Sequence, residues 1–93
     1  MNPQALISEY LALVEASGAP DIEHMRVMCI QVSQWLVALD GRDLYQRQAL
    51  ETSLKTSRWI GYLQRWLEGR GLRTLDQLRN ETRGLDAVLI GYL

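Results

Sequence analysis

Residues that build chemistry are scarce in this chain. Its 93 residues include one cysteine, one histidine and two prolines. The single thiol, Cys29, has no partner for a disulfide and lies in the apolar run VMCI, where cysteine behaves as a small hydrophobe. Such usage fits a reducing compartment, so a cytoplasmic protein is expected. One His and one Cys cannot supply the three or more side-chain ligands of the usual zinc sites, so neither a metal nor a cofactor is expected. The acids never pair within an apolar stretch, which pKa-tuned acid–base work would need. The glycines fall in DGR and GRG without a strand–loop–helix context, so no phosphate loop is indicated. His24 falls in the first turn of a helix, where the dipole disfavours its charged form, and reads as a border residue rather than a base. No catalytic residue emerges, and the chain does not read as an enzyme.

Long hydrophobic runs are missing too. The longest apolar cluster, LDAVLIGYL at 85–93, falls far short of the roughly 18 residues that suggest a membrane span. The opening MNPQALISEY lacks a basic n-region, so no secretory signal is expected. A strong charge of one sign is also lacking, since the net value is −1. Its distribution is uneven: residues 1–46 carry six acids against two arginines, and residues 47–93 carry eight basic residues against five acids. This polarity could steer a charged partner, or packing of the two halves together could cancel it.

What is present is helical periodicity, within one domain spanning 1–93. Stops fall at SGAP (17–20), DGRD (40–43) and GRG (69–71), with a weaker TRG at 82–84. Every stretch between the first three is long enough for a helix, and strand-like alternation is absent. A first helix is expected over Pro3–Ala16, capped by Asn2, with Leu6, Ile7, Tyr10, Leu11 and Val14 on one face. A second should run from Pro20 or Asp21 to Leu39, with Gly41 available for a left-handed cap. A third should begin after Asp43, in a capping box with Gln46. Its first apolar face, Leu50 and Leu54, lies opposite Trp59, Tyr62, Leu63 and Trp66. One long helix with a kink near Thr56-Ser57 is favoured over two. A fourth, capped by Thr74 with Gln77, should run from 75 to about 92 through Gly84, where a kink is allowed. Together these give an all-α, four-helix bundle with an antiparallel course.

Two surfaces invite a functional reading. RWIGYLQRWLEGRGLR (58–73) crowds aromatics among Arg58, Arg65, Arg70 and Arg73. Its aromatics share an arc of roughly 160° with Ile60, Leu63 and Leu67, so the strip reads as core with arginines snorkelling at its border. A nucleic-acid grip would instead need exposed rings beside the cations. The other surface is on helix 2. Met25, Met28, Cys29, Val32, Trp35, Leu36 and Leu39 form its main face, and Val27, Ile30, Gln34 and Val37 form a thinner set on the far side. An apolar set on both sides marks either a central helix or one with an outside partner. These four residues are the candidate partner-binding site.

The segment QWLVALDGRDLYQRQALETSLKTSRWIG (34–61) resembles the central helical hairpin of small all-helical immunity proteins that neutralise interbacterial type VI secretion toxins. The likeness rests on Gln34-Trp35-Leu36, the turn Asp40 to Asp43, and the helix start Leu44…Arg47…Ala49-Leu50. It covers about a third of the chain and includes no diagnostic motif. It implies a bacterial or phage inhibitor that occludes a partner's active site with one face of its bundle, and no catalytic residue carries over. The pattern Tyr62-Leu63…Trp66-Leu67…Gly71-Leu72…Thr74-Leu75 is similar to the core-binding domain of tyrosine recombinases, which implies a DNA-associated domain. The charge balance argues against an autonomous DNA clamp. The expected partner is therefore another protein, a toxin or regulatory target, or a second copy in a homodimer. Nucleic acid and membrane are not expected.

Overall fold

The computed structural model describes residues 2–41 and 44–92, and these form four α-helices with no strand among them. They are α1 (Pro3–Ala16), α2 (Ile22–Asp40), α3 (Gln46–Gly69) and α4 (Leu75–Gly91). The ends of α1 follow local chemistry. Asn2 accepts the Ala5 N–H, Pro3 takes the first helical position, and Gly18 leaves the helix in a left-handed conformation, φ 67°. Thr74 and Gln77 cap α4 reciprocally: the Thr74 N–H donates to Gln77 Oε1 at 2.8 Å, and the Gln77 N–H donates to Thr74 Oγ1 at 3.2 Å. α4 then continues through Gly84 without interruption.

One expected cap differs, and one falls outside the described residues. Gly41 ends α2 in a right-handed conformation, φ −68°, with its N–H bonded back to the Val37 carbonyl. α3 starts at Gln46, and Gln48 reaches back to accept the N–H of Tyr45. The expected Asp43–Gln46 box involves Asp43, which lies outside the described residues. At the far end of α3 the left-handed residue is Gly71, φ 71°. There the Leu72 N–H reaches the Leu67 carbonyl and the Gly71 N–H reaches that of Glu68, which is a Schellman motif.

α3 is one continuous helix, and its 24 residues at about 1.5 Å each match the 39 Å long axis of the molecule. The 18 Å short axis leaves room for two layers of helices. The course is antiparallel throughout. Glu15 meets Arg26 across α1 and α2. Asp21 meets Arg70, and Trp35 meets Trp59, across α2 and α3. Gln64 meets Thr82 across α3 and α4.

One core draws on all four helices: Ile7, Tyr10 and Val14 from α1, Val32 and Leu36 from α2, Leu63 and Leu67 from α3, Leu85 and Leu89 from α4. Each fully buried aliphatic side chain contributes about 2 kcal/mol. Along α3 the buried line is Ser53, Thr56, Ile60, Leu63 and Leu67, three and four apart. Leu50 and Leu54, expected as its first apolar face, are exposed. The reason is that small polar residues occupy the inward positions of that half. Thr56 turns its hydroxyl back to the Thr52 carbonyl at 2.7 Å, which lets a polar residue sit fully buried.

Candidate partner-binding site

On the outer side of α2, Val27, Ile30, Gln34 and Val37 recur three and four apart, so helical geometry lines them along one ridge. The fold leaves this ridge uncovered. Val27 is 58% exposed, Ile30 45% and Val37 61%, and Gln34 is exposed as well. Burial inside the bundle, one of the two alternatives for this face, is not what the structure has. α1 runs beside the ridge, and between the helices lies a shallow groove of about 360 Å³ lined by Ser8, Leu11, Ile30, Ser33, Gln34 and Val37. Three of the four expected residues thus meet at one groove, and Val27 stands one turn beyond its end.

Ser8, Leu11 and Ser33 were not expected in this site. Leu11 has the spacing of the α1 core face, but it lies at the edge of that face and is half-buried. The serines are the positions whose small side chains leave the hollow open, and their only signal is size. Among the described residues no charged side chain lines the groove. It offers apolar contact with hydroxyl and amide groups and nothing that titrates.

A second groove, of about 410 Å³ between α2 and α3, is lined by His24, Met25, Met28, Trp59 and Tyr62. His24 is exposed at its rim, and among the described residues no cluster of His, Cys, Asp or Glu is placed to hold a metal ion.

The aromatic strip at 58–73 divides. Ile60, Leu63 and Leu67 enter the core, while Trp59 and Trp66 stop half-buried at its border and Tyr62 is 52% exposed. The deepest line is the aliphatic edge of the arc, not its aromatic middle. Both tryptophans are engaged. Trp59 packs edge-on against Trp35 with ring centroids 4.9 Å apart, and Lys55 Nζ lies 5.6 Å from the Trp35 ring. Trp66 donates its indole N–H to Asp21 Oδ2 at 2.9 Å, and the Arg70 guanidinium stacks 4.9 Å from the same ring while reaching Asp21 Oδ1 at 3.4 Å. Asp21 therefore ties the start of α2 to the end of α3 instead of capping α2 with its side chain.

Arg73 turns inward. It pairs with Glu9 at 2.6 Å, is only 11% exposed, and its Nε lies 3.5 Å from Glu81 Oε2 without hydrogen-bond geometry. Beside it, the fully buried Tyr10 donates to Glu81 Oε1 at 2.6 Å and accepts from Gln64 Nε2 at 3.3 Å. Thr82 Oγ1 donates to Gln64 Oε1 at 3.2 Å. This polar cluster joins α1, α3 and α4. Burial first, and then the Glu81 hydrogen bond, raise the Tyr10 pKa well above the ordinary tyrosine value. No local pattern in the sequence marks this cluster, because its bonded side chains come from distant positions, Tyr10 and Glu81 lying 71 residues apart.

Among the described residues no helix is long and apolar enough to cross a membrane. No protein-family model, no curated protein and no solved structure matches the chain.

Proposed function

We propose that this chain is a non-enzymatic protein-binding module, a cytoplasmic bacterial or phage inhibitor of the immunity-protein kind, which occludes a partner's active site. The partner contacts the Val27, Ile30, Gln34, Val37 ridge and the adjoining α1 groove. The observation that carries this reading is the uncovered, uncharged ridge on α2, whose opposite face already satisfies the core. Exposed apolar side chains gathered along one helix mark contact surfaces more often than solvent faces. The resemblance over 34–61 adds the inhibitor role. The DNA-associated alternative has less support, because within the strip at 58–73 Trp59 and Trp66 are engaged in internal packing, which leaves Tyr62 as its one open ring.

The test compares wild-type protein with Ile30→Asp by size-exclusion chromatography, alone and mixed with the product of any toxin gene adjacent to its own. Because Ile30 is 45% exposed, the substitution should leave the thermal melt nearly unchanged while abolishing self-association or complex formation. A folded variant that associates as well as wild type would sink the reading.

A further inference from the structure

Between α3 and α4 lies a groove of about 360 Å³ whose chemistry is opposite to that of the α1/α2 hollow. Arg65 rises from the α3 wall, and Arg79 and Arg83, four residues apart, share one ridge of the α4 wall. Among the described residues Glu68 is the lone acid of the lining. Arg65 and Arg83 are exposed and enter no ion pair among the described residues. Arg79 has only a 3.9 Å approach to Asp76, itself almost fully in water. By contrast, Arg26, Arg47, Arg70 and Arg73 each hold a carboxylate of this chain. The floor is fixed, since Thr82 there donates to Gln64 and Gln64 in turn donates to the buried Tyr10.

We propose that this groove is a second binding site, one that takes an acidic segment of a polypeptide. Guanidinium groups on facing walls grip carboxylates from two sides, and their planar forks match carboxylate geometry bidentately. Gly61 to Glu68 spans about 10 Å of α3, which is about three residues of extended chain. The surroundings argue for carboxylates over nucleic acid. Among the described residues no aromatic side chain lines the groove for a base to stack on. Three guanidinium groups against the one carboxylate of Glu68 suit a short acidic segment, while a chain at −1 overall offers no extended basic track for a long polyanion. The site shares no residue with the α1/α2 surface, so either can fail without the other.

The experiment is a titration of the full chain with a short, fluorescently labelled oligoglutamate peptide, with single-stranded DNA and inorganic phosphate as competitors and labelled oligolysine in a separate titration as the negative control. Oligoglutamate should bind, more weakly as salt rises toward about 150 mM. Arg65→Ala with Arg83→Ala should weaken it about tenfold or more, because two charge-assisted contacts are lost. Arg47→Ala with Lys55→Ala removes the same charge from exposed positions of α3 outside the groove and should change affinity less than about twofold. Circular dichroism confirms that both double variants fold. Any of three results overturns the proposal: no oligoglutamate binding at low salt, equal losses in the two double variants, or tighter binding to DNA that depends on Arg65 and Arg83.

Discussion

Ser53 lies on the core line of α3 at 5% exposure, and its hydroxyl has no hydrogen-bond partner among the described residues. A buried polar atom left unpaired costs free energy, and alanine is also the better helix former. Ser53→Ala should therefore stabilise the fold by about 1 kcal/mol, read as a higher denaturant midpoint at unchanged slope. A second residue-scale prediction concerns pH. Burial, and next the Glu15 charge, push the Cys29 thiol up to about 11 from an ordinary value of 9.0. The folded pKa is thus raised, so its contribution is complete below pH 9 and is lost as pH climbs toward 11. The slope in that window is at most about 1.4 kcal/mol per pH unit. Cys29→Ala should flatten the fall in stability across it, and identical slopes for the two proteins would refute the assignment. Inward positions were legible where they were apolar, as with Leu36 or Leu63. At Ser53 and Thr56 they were not, since helical periodicity tracks apolar side chains and here the inward residues are polar while Leu50 and Leu54 face water.

Helix starts were legible wherever one side chain closes its own turn. Asn2 and Thr74 each bond a backbone N–H three residues on, so two or three letters carry the whole signal. Helix ends were less so. Gly41 has the composition of a left-handed cap but adopts φ −68°, while Gly71 takes that role at φ 71°. The difference follows what comes next: Leu72 beyond Gly71 folds back onto the core, completing the hydrophobic part of the Schellman motif. Two glycines of similar openness therefore predict opposite outcomes. A Cβ added at Gly71 would touch nothing within 4 Å, so Gly71→Ala should cost about 1 kcal/mol through its positive φ alone. Gly61 is equally open but lies inside α3, so Gly61→Ala should gain up to about 1 kcal/mol from helix propensity. Thermal melts of the pair should move in opposite directions, and a shared sign would contradict the backbone geometry.

At the scale of the molecule, the helices and their antiparallel order could be read from spacing, but the way α4 is fastened could not. α4 buries Leu78, Leu85 and Leu89 and leans chiefly on α3. Its link to α1 is polar: Tyr10 donates to Glu81, and Arg73 bridges Glu9 toward Glu81. No local pattern marks Tyr10 as more than a core aromatic, because its hydroxyl partners come from α3 and α4. The candidate ridge on α2 was legible for the converse reason: its residues belong to one helix, and only their exposure awaited the fold. The α4 fastening makes a prediction about cooperativity. Tyr10→Phe keeps the ring but removes the donor to a largely buried carboxylate and the acceptor for Gln64. The loss should be about 2 kcal/mol, within the range for a hydrogen bond to a charged group. It should also be uneven. In wild type, α4 amides should exchange hydrogen through partial opening at lower free energy than those of α2, which packs on both α1 and α3. Tyr10→Phe should widen that gap, since it cuts the tie between α4 and α1 while leaving the Val32, Leu36 and Leu63 core in place. Equal loss of protection in α2 and α4 would mean that the tyrosine hydroxyl supports the whole fold and not the seating of its last helix.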